Sequence, residues 1–361
     1  MTLTMTVSRR HLLEGLAGAA LGVPLFARAA GNPATIRIAV AQPLVGQPPS
    51  FSGSSAAIAH SKGWIDEEFK ADGIAIEWSF FKGAGPAVNE AVSNQQVDFA
   101  LQGDLPSLIG RAAGLKTRLV VATGARTPIY IGVPPDSPAK RIEDLRGKRV
   151  ALFKGTNMHL PAVRLLEAHG LTERDLKIVN FDTASSLAAL ATRDIDASIG
   201  SQDILRLRDK GQVRVLYTSK GDSPIYTRQS HLLVTERFAD AHPAATQRVV
   251  KALVKSARWA SDEANREEVL RLWARAGTSY EHWKEDVDGQ PLRVRLNPTF
   301  DPFLRGRYHE AVENAYRLKL SRAKFDVNSW IDTRYLDAAL KEAKLENYWP
   351  VFEANGKAAG A

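Results

Sequence analysis

The stretch Lys154-Gly155-Thr156-Asn157-Met158-His159 decides how the chain is read. An apolar run from Arg149 to Phe153 precedes it and reads as a strand. The run that follows places Ala162, Val163, Leu165, Leu166 and Ala168 at helical spacing, so a helix is expected over 157–169. The junction is therefore a strand, a glycine turn and a helix start, with Thr156 or Asn157 as candidate N-cap. The first N–H groups of a helix have no internal partner and carry the positive end of its dipole. Such a corner suits a small anion. One capped corner is ordinary, so its meaning depends on what the rest of the chain sets against it.

Working outward, the same pattern recurs. A strand is expected at 36–41, then a Gly/Pro/Ser-rich loop through Ser55, then a helix beginning at Ser54 or Ser55. Strands at 75–81, 97–101 and 119–123 alternate with helices, one of them opened by Gly103-Asp104. After Arg126-Thr127-Pro128 the alternation starts afresh, with strands at 129–133, 149–153, 177–181, 194–200 and 213–217. Ser201-Gln202-Asp203 opens a further helix. His231 to Val234 is a late strand, and the remainder reads as helical. This is an α/β chain with two mainly parallel sheets flanked by helices. Two crossovers, at Arg126-Thr127-Pro128 and at Thr227 to Ser230, would act as hinges. The expected lobes are 30–126 together with 231–361, and 127–230. Ligands of open α/β sheets sit beyond the carboxyl ends of the strands. Two such sheets would set four corners facing one another across a cleft: Ser54/Ser55, Gly103/Asp104, Thr156/Asn157 and Asp203 with its neighbours. Arg126, at the first crossover, would add a charge-assisted hydrogen bond.

Composition narrows the chemistry. The 361 residues are 44% hydrophobic and 24% charged, ordinary for a globular protein with two cores. There is no cysteine, which removes disulfides, thiolate metal sites and thiol nucleophiles. The net charge of +8 is spread among acids, with no dense basic run carrying interleaved aromatics, so no nucleic-acid partner is expected. The eight histidines lack metal-ligand spacing. No G-x-S-x-G elbow and no phosphate-binding loop occurs, and Gly83-Ala84-Gly85 lacks the third glycine of a dinucleotide fingerprint. No catalytic residue, metal ligand or cofactor is expected. At the N-terminus, Ser8-Arg9-Arg10-His11-Leu12-Leu13, a short apolar run and Ala27-Arg28-Ala29 read as a twin-arginine signal peptide over 1–29. The run is short for a membrane span of about 20 residues. The mature protein is expected in the periplasm, with no stable membrane insertion.

Several segments carry a family resemblance. Gly85 to Asn89, Gln95 to Ala100 and Gly103-Asp104-Leu105-Pro106 resemble periplasmic binding proteins of the nitrate/sulfonate/taurine ABC-transporter family. So do Ser137-Pro138 through Lys148, the run Arg149 to Asn157, Phe238 to Pro243 and Trp330-Ile331-Asp332. The resemblance spans about residues 36–340. It implies a two-lobed, type II periplasmic-binding-protein fold without catalysis. It also implies a monomer that captures a small anion, an organosulfonate or a nitrate- or taurine-like solute, and delivers it to ABC permease subunits. The sequence departs from the aliphatic-sulfonate members at Gly200-Ser201-Gln202-Asp203, where a tryptophan and an Asp-Pro are missing. Asp104 and Asp203 would suit the amine of an aminosulfonate, or they cap helices. The alternative is a periplasmic enzyme of the same fold acting on a sulfur- or nitrogen-containing small molecule. The enzymes that resemble this family use cysteine, which this chain lacks.

Overall fold

Ten strands fall into two five-stranded sheets in the computed structural model, which describes residues 31–360. The expected signal peptide lies outside the described residues. The first sheet holds β1 (Thr35–Val40), β2 (Ala75–Phe80), β3 (Phe99–Gly103), β4 (Thr117–Thr127) and β10 (Arg228–Thr235), in the order β2-β1-β3-β10-β4. The second holds β5 (Tyr130–Val133), β6 (Arg149–Leu152), β7 (Lys177–Val179), β8 (Ala197–Gly200) and β9 (Arg214–Thr218), in the order β7-β6-β8-β5-β9. In each sheet one strand runs against its neighbours: β10 between β3 and β4, and β5 between β8 and β9. These are the first strands the chain lays down after each passage between sheets. The passages lie side by side, since Thr127, the last residue of β4, pairs with Arg228, the first of β10.

Alternation sorts the second sheet's core. Ile129, Ile131 and Val133 face one side, where Leu165 and Leu166 of helix His159–Ala168 cover them. Tyr130 points to the other, with Leu187, Leu190 and Ile204 from helices Thr183–Ala191 and Ile204–Asp209. Fully buried strands covered on both faces explain why the sequence shows continuous apolar runs there. The helices after β10 bury Val249, Trp273, Tyr308 and Trp330 in the first sheet's core. Residues Asn32–Ala361 form one compact unit.

Some boundaries differ from the sequence expectation. The strand expected at 97–101 begins only at Phe99, because Asp98 is held by Arg37 at 2.8 and 3.0 Å. The strand expected at 194–200 begins at Ala197, because Asp196 turns to accept the Arg149 N–H at 2.7 Å. The helix expected from 157 starts at His159, and its N-cap position is Met158, without a side-chain cap.

Candidate functional site

The carboxyl ends of β1, β3 and β8, and the residue that follows β6, open onto one cleft of about 530 Å³ between the sheets. Leu101, Gln102 and Gly103 line it from the first sheet; Phe153, Ile199 and Gly200 line it from the second. Of the residues singled out by sequence, the fold brings Ser54, Gly103, Thr156, Asn157 and Asp203 into this lining.

Gly103 and Asn157 mark the tightest approach of the two walls. A Cβ at Gly103 would lie 2.2 Å from Asn157 Cβ, so only glycine leaves room for that side chain. Asn157 also reaches the second crossover, donating from Nδ2 to Gln229 O at 3.4 Å. Thr156 spends its hydroxyl hydrogen on Phe153 O at 2.7 Å and accepts from Met158 N at 3.3 Å. It therefore shapes the turn. Among the described residues the backbone N–H groups of Thr156 and Asn157 donate to no protein acceptor, which leaves them for an anion. Ser54 caps helix Ser55–Ser61 by accepting from Ala57 N at 3.2 Å, and so retains its own hydroxyl hydrogen. Lys154 sits outside this geometry, paired with Glu173 at 3.0 Å. His159 and Lys154 together hold the Glu173 carboxyl down at about 2.

Asp203 lines the cleft with both oxygens occupied, by the Ser201 hydroxyl at 2.7 Å and by the Thr278 hydroxyl. Three predicted residues lie away from the lining. Ser55 is buried and donates to Thr123 O at 3.3 Å. Asp104 is buried at a helix start, where burial pushes its carboxyl up to about 6, partly offset by Arg164. Arg126 stacks over Phe352 and Phe303 at 3.7 and 4.4 Å and donates to Gly356 O, so it clamps the C-terminal segment.

Three cations line the cleft: Lys82, 4.0 Å from Asp182, the exposed Arg206, and Arg228 on the second crossover, which the sequence reading passed over. Arg228 is half-buried, lines the cleft and has no carboxylate in ion-pair range among the described residues. Its Nε and Nη2 both donate to Pro128 O, at 3.2 and 3.1 Å, on the first crossover. Burial lowers its pKa to about 10, with Asp286 opposing the fall, so it stays charged at neutral pH. A half-buried cation without a counter-ion suits an anion. Nothing in the string Thr227-Arg228-Gln229-Ser230 shows burial. The one available signal was its position at a crossover, the argument used for Arg126.

A Ser–His pair does exist, behind the wall. Tyr308 donates to His231 Nδ1 at 2.5 Å, His231 Nε2 donates to Ser107 Oγ at 2.7 Å, and Ser107 donates to Gly103 O at 2.8 Å. Burial pushes His231 down to about 3, so it stays neutral, and Ser107 has no free hydrogen to lose. This chain braces Gly103 and does not face the cleft.

Two α/β sheets, paired crossovers and a cleft at the strand ends are the architecture of periplasmic binding proteins. The chain belongs to the NMT1/THI5-like family, whose pattern matches residues 54–266. It is similar to the protein named as periplasmic sulfonate-binding protein SsuA of Methylobacillus flagellatus KT, with TM-score 0.76 and 30% identity over 88% of this chain and 97% of that one. The alkanesulfonate-binding protein SsuA of Xanthomonas axonopodis pv. citri, solved with MOPS, aligns with TM-score 0.69 and 24% identity over 84% and 99% of the two chains. A Bacillus subtilis (strain 168) protein named for binding aliphatic sulfonates is 24% identical over 293 residues, 80% of this chain and 86% of that protein. Among the described residues no helix is long and apolar enough to cross a membrane.

Proposed function

We propose that this protein captures a small organosulfonate anion in the inter-sheet cleft and hands it to the permease of an ABC importer. The observation that carries this is Arg228, a half-buried cation without a counter-ion on a cleft that is also lined by Thr156 and Asn157, whose backbone N–H groups have no protein acceptor among the described residues. A sulfonate's three oxygens can accept from a guanidinium edge and from backbone N–H groups together. Val45, Phe51, Leu187, Ile204 and Trp283 supply apolar walls that suit a hydrocarbon tail. The names of the similar proteins point the same way.

In this reading the lobes are 30–126 with 231–361, and 127–230, and they close about the two crossovers. The chain is exported by the twin-arginine route, works in the periplasm as a monomer and catalyses nothing. The absence of cysteine argues against the thiol chemistry of enzymes with this fold. A thermal-shift panel of 1-butanesulfonate, taurine, nitrate and butyrate tests the assignment. The sulfonate should raise the melting temperature and be recovered unchanged. Stabilisation by none of the four, or turnover of the sulfonate, would count against it.

A further inference from the structure

Behind Arg228 lies an ion pair with no exposure at all. Arg295 Nη2 meets Asp286 Oδ2 at 2.6 Å, and both side chains are fully buried. Tyr130 donates to the other Asp286 oxygen at 2.9 Å. Arg295 Nη1 donates to Gln290 Oε1 at 3.1 Å, and Gln290 Nε2 donates to Arg126 O at 3.3 Å. The pair thus grips residues 126 and 130, on either side of the Pro128 carbonyl that holds Arg228. Neither Asp286 nor Arg295 lines the cleft. A buried ion pair gives no stability advantage over well-packed apolar side chains, so its presence here calls for another role.

We propose that the Asp286–Arg295 pair sets the affinity of the cleft for its anion, Asp286 restraining and Arg295 strengthening the hold of Arg228. This rests on the reading that Arg228 meets the ligand. Charges shielded from water act on one another with little screening. The charge of Arg228 is supported by Asp286 and, from the cleft wall, by Asp203, and opposed by Arg295. Deleting the negative charge leaves two cations behind the cleft. Deleting the positive charge of Arg295 lets Asp286 compete with the ligand for Arg228.

The test is calorimetric titration of the full mature chain with 1-butanesulfonate, alongside urea unfolding of each variant. Asp286→Asn should bind about tenfold tighter and Arg295→Gln about tenfold weaker. The double variant should return to within about threefold of the native affinity, as should the charge-preserving Arg295→Lys. Tyr130→Phe, which removes a hydrogen bond and no charge, should move affinity less than about threefold. A purely structural role would weaken binding in every variant. Weakening by Asp286→Asn, unchanged affinity in either folded single variant, or a double variant that stays far from native overturns the proposal. If one single variant does not fold, the other decides it by comparison with Arg295→Lys and the double variant. Failure of the native protein and all variants to bind any anion would instead sink the functional reading beneath it.

Discussion

Gly103 and Asn157 offer a direct handle on closure. A Cβ at Gly103 would meet Asn157 Cβ at 2.2 Å and Asn157 Cγ at 2.8 Å, while carbon atoms settle at about 3.5 Å or more. Gly103→Ala therefore forces the walls apart by more than about 1 Å, or bends one of them. The two residues belong to different sheets, β3 and the turn after β6. If the sheets move about the crossovers, opening the cleft relieves the clash more readily than deforming β3, whose residues are all buried. Overpacking of this kind costs about 1–3 kcal/mol, and the cost falls on the closed state. Affinity for 1-butanesulfonate should drop by about 5- to 150-fold. The urea midpoint of the ligand-free protein should barely change, and small-angle scattering should show an expanded ensemble. Asn157→Gly added to Gly103→Ala should restore most of the affinity. Unchanged affinity and scattering in the single variant would refute the reasoning, as would a double variant that stays weak while remaining folded.

Three further outcomes follow from the same geometry. Thr156→Ala should weaken anion binding by about 1–2 kcal/mol and Thr156→Ser should not, because the hydroxyl fixes the turn through Phe153 O and Met158 N; equal affinity for both variants would show that the turn needs no such tie. The Asp104 carboxyl is raised to about 6 from its ordinary value of 3.8, so ionising it costs stability as pH rises through that window. Asp104→Asn should therefore be more stable than the native protein at pH 8 by about 3 kcal/mol and nearly equal to it at pH 4, measured by urea unfolding; a difference independent of pH would contradict this. Ser54→Ala should weaken binding by about 1 kcal/mol or slightly more, through the lost hydroxyl donor and the lost cap together, while Ser54→Thr keeps both groups; the check is titration with 1-butanesulfonate, and equal losses in the two variants would count against a direct contact.

The alternation of short apolar runs with glycine and hydroxyl corners carried most of the fold, because central strands such as β3 and β5 are buried throughout and helices such as Ser55–Ser61 and Thr183–Ala191 open at a capping side chain. The crossovers were legible for the same reason: Arg126-Thr127-Pro128 interrupts the pattern where the chain leaves the first sheet. The two antiparallel strands were not, since direction within a sheet leaves no mark on a run such as Arg228–Thr235. At the cleft, Thr156, Asn157, Gly103 and Ser54 were found because corner chemistry is local. What Thr156 does was not, because its hydroxyl could be assigned only once Phe153 O lay in reach. The choice between Arg126 and Arg228 turned on tertiary packing. Phe303 and Phe352, from the distant helical third, cover Arg126, whereas Pro128 O turns Arg228 to the cleft. No local pattern encodes that difference.

The central claim is that Arg228 holds an organosulfonate in this cleft. Its most direct test is calorimetric titration of 1-butanesulfonate into the native protein and into Arg228→Met, with urea midpoints to show that both are folded. One anion should bind per native chain. The variant should lose about 1.5–3 kcal/mol or more of binding free energy, the range of a charge-assisted hydrogen bond. Equal affinity in a folded variant, or no binding by the native protein, would contradict the account.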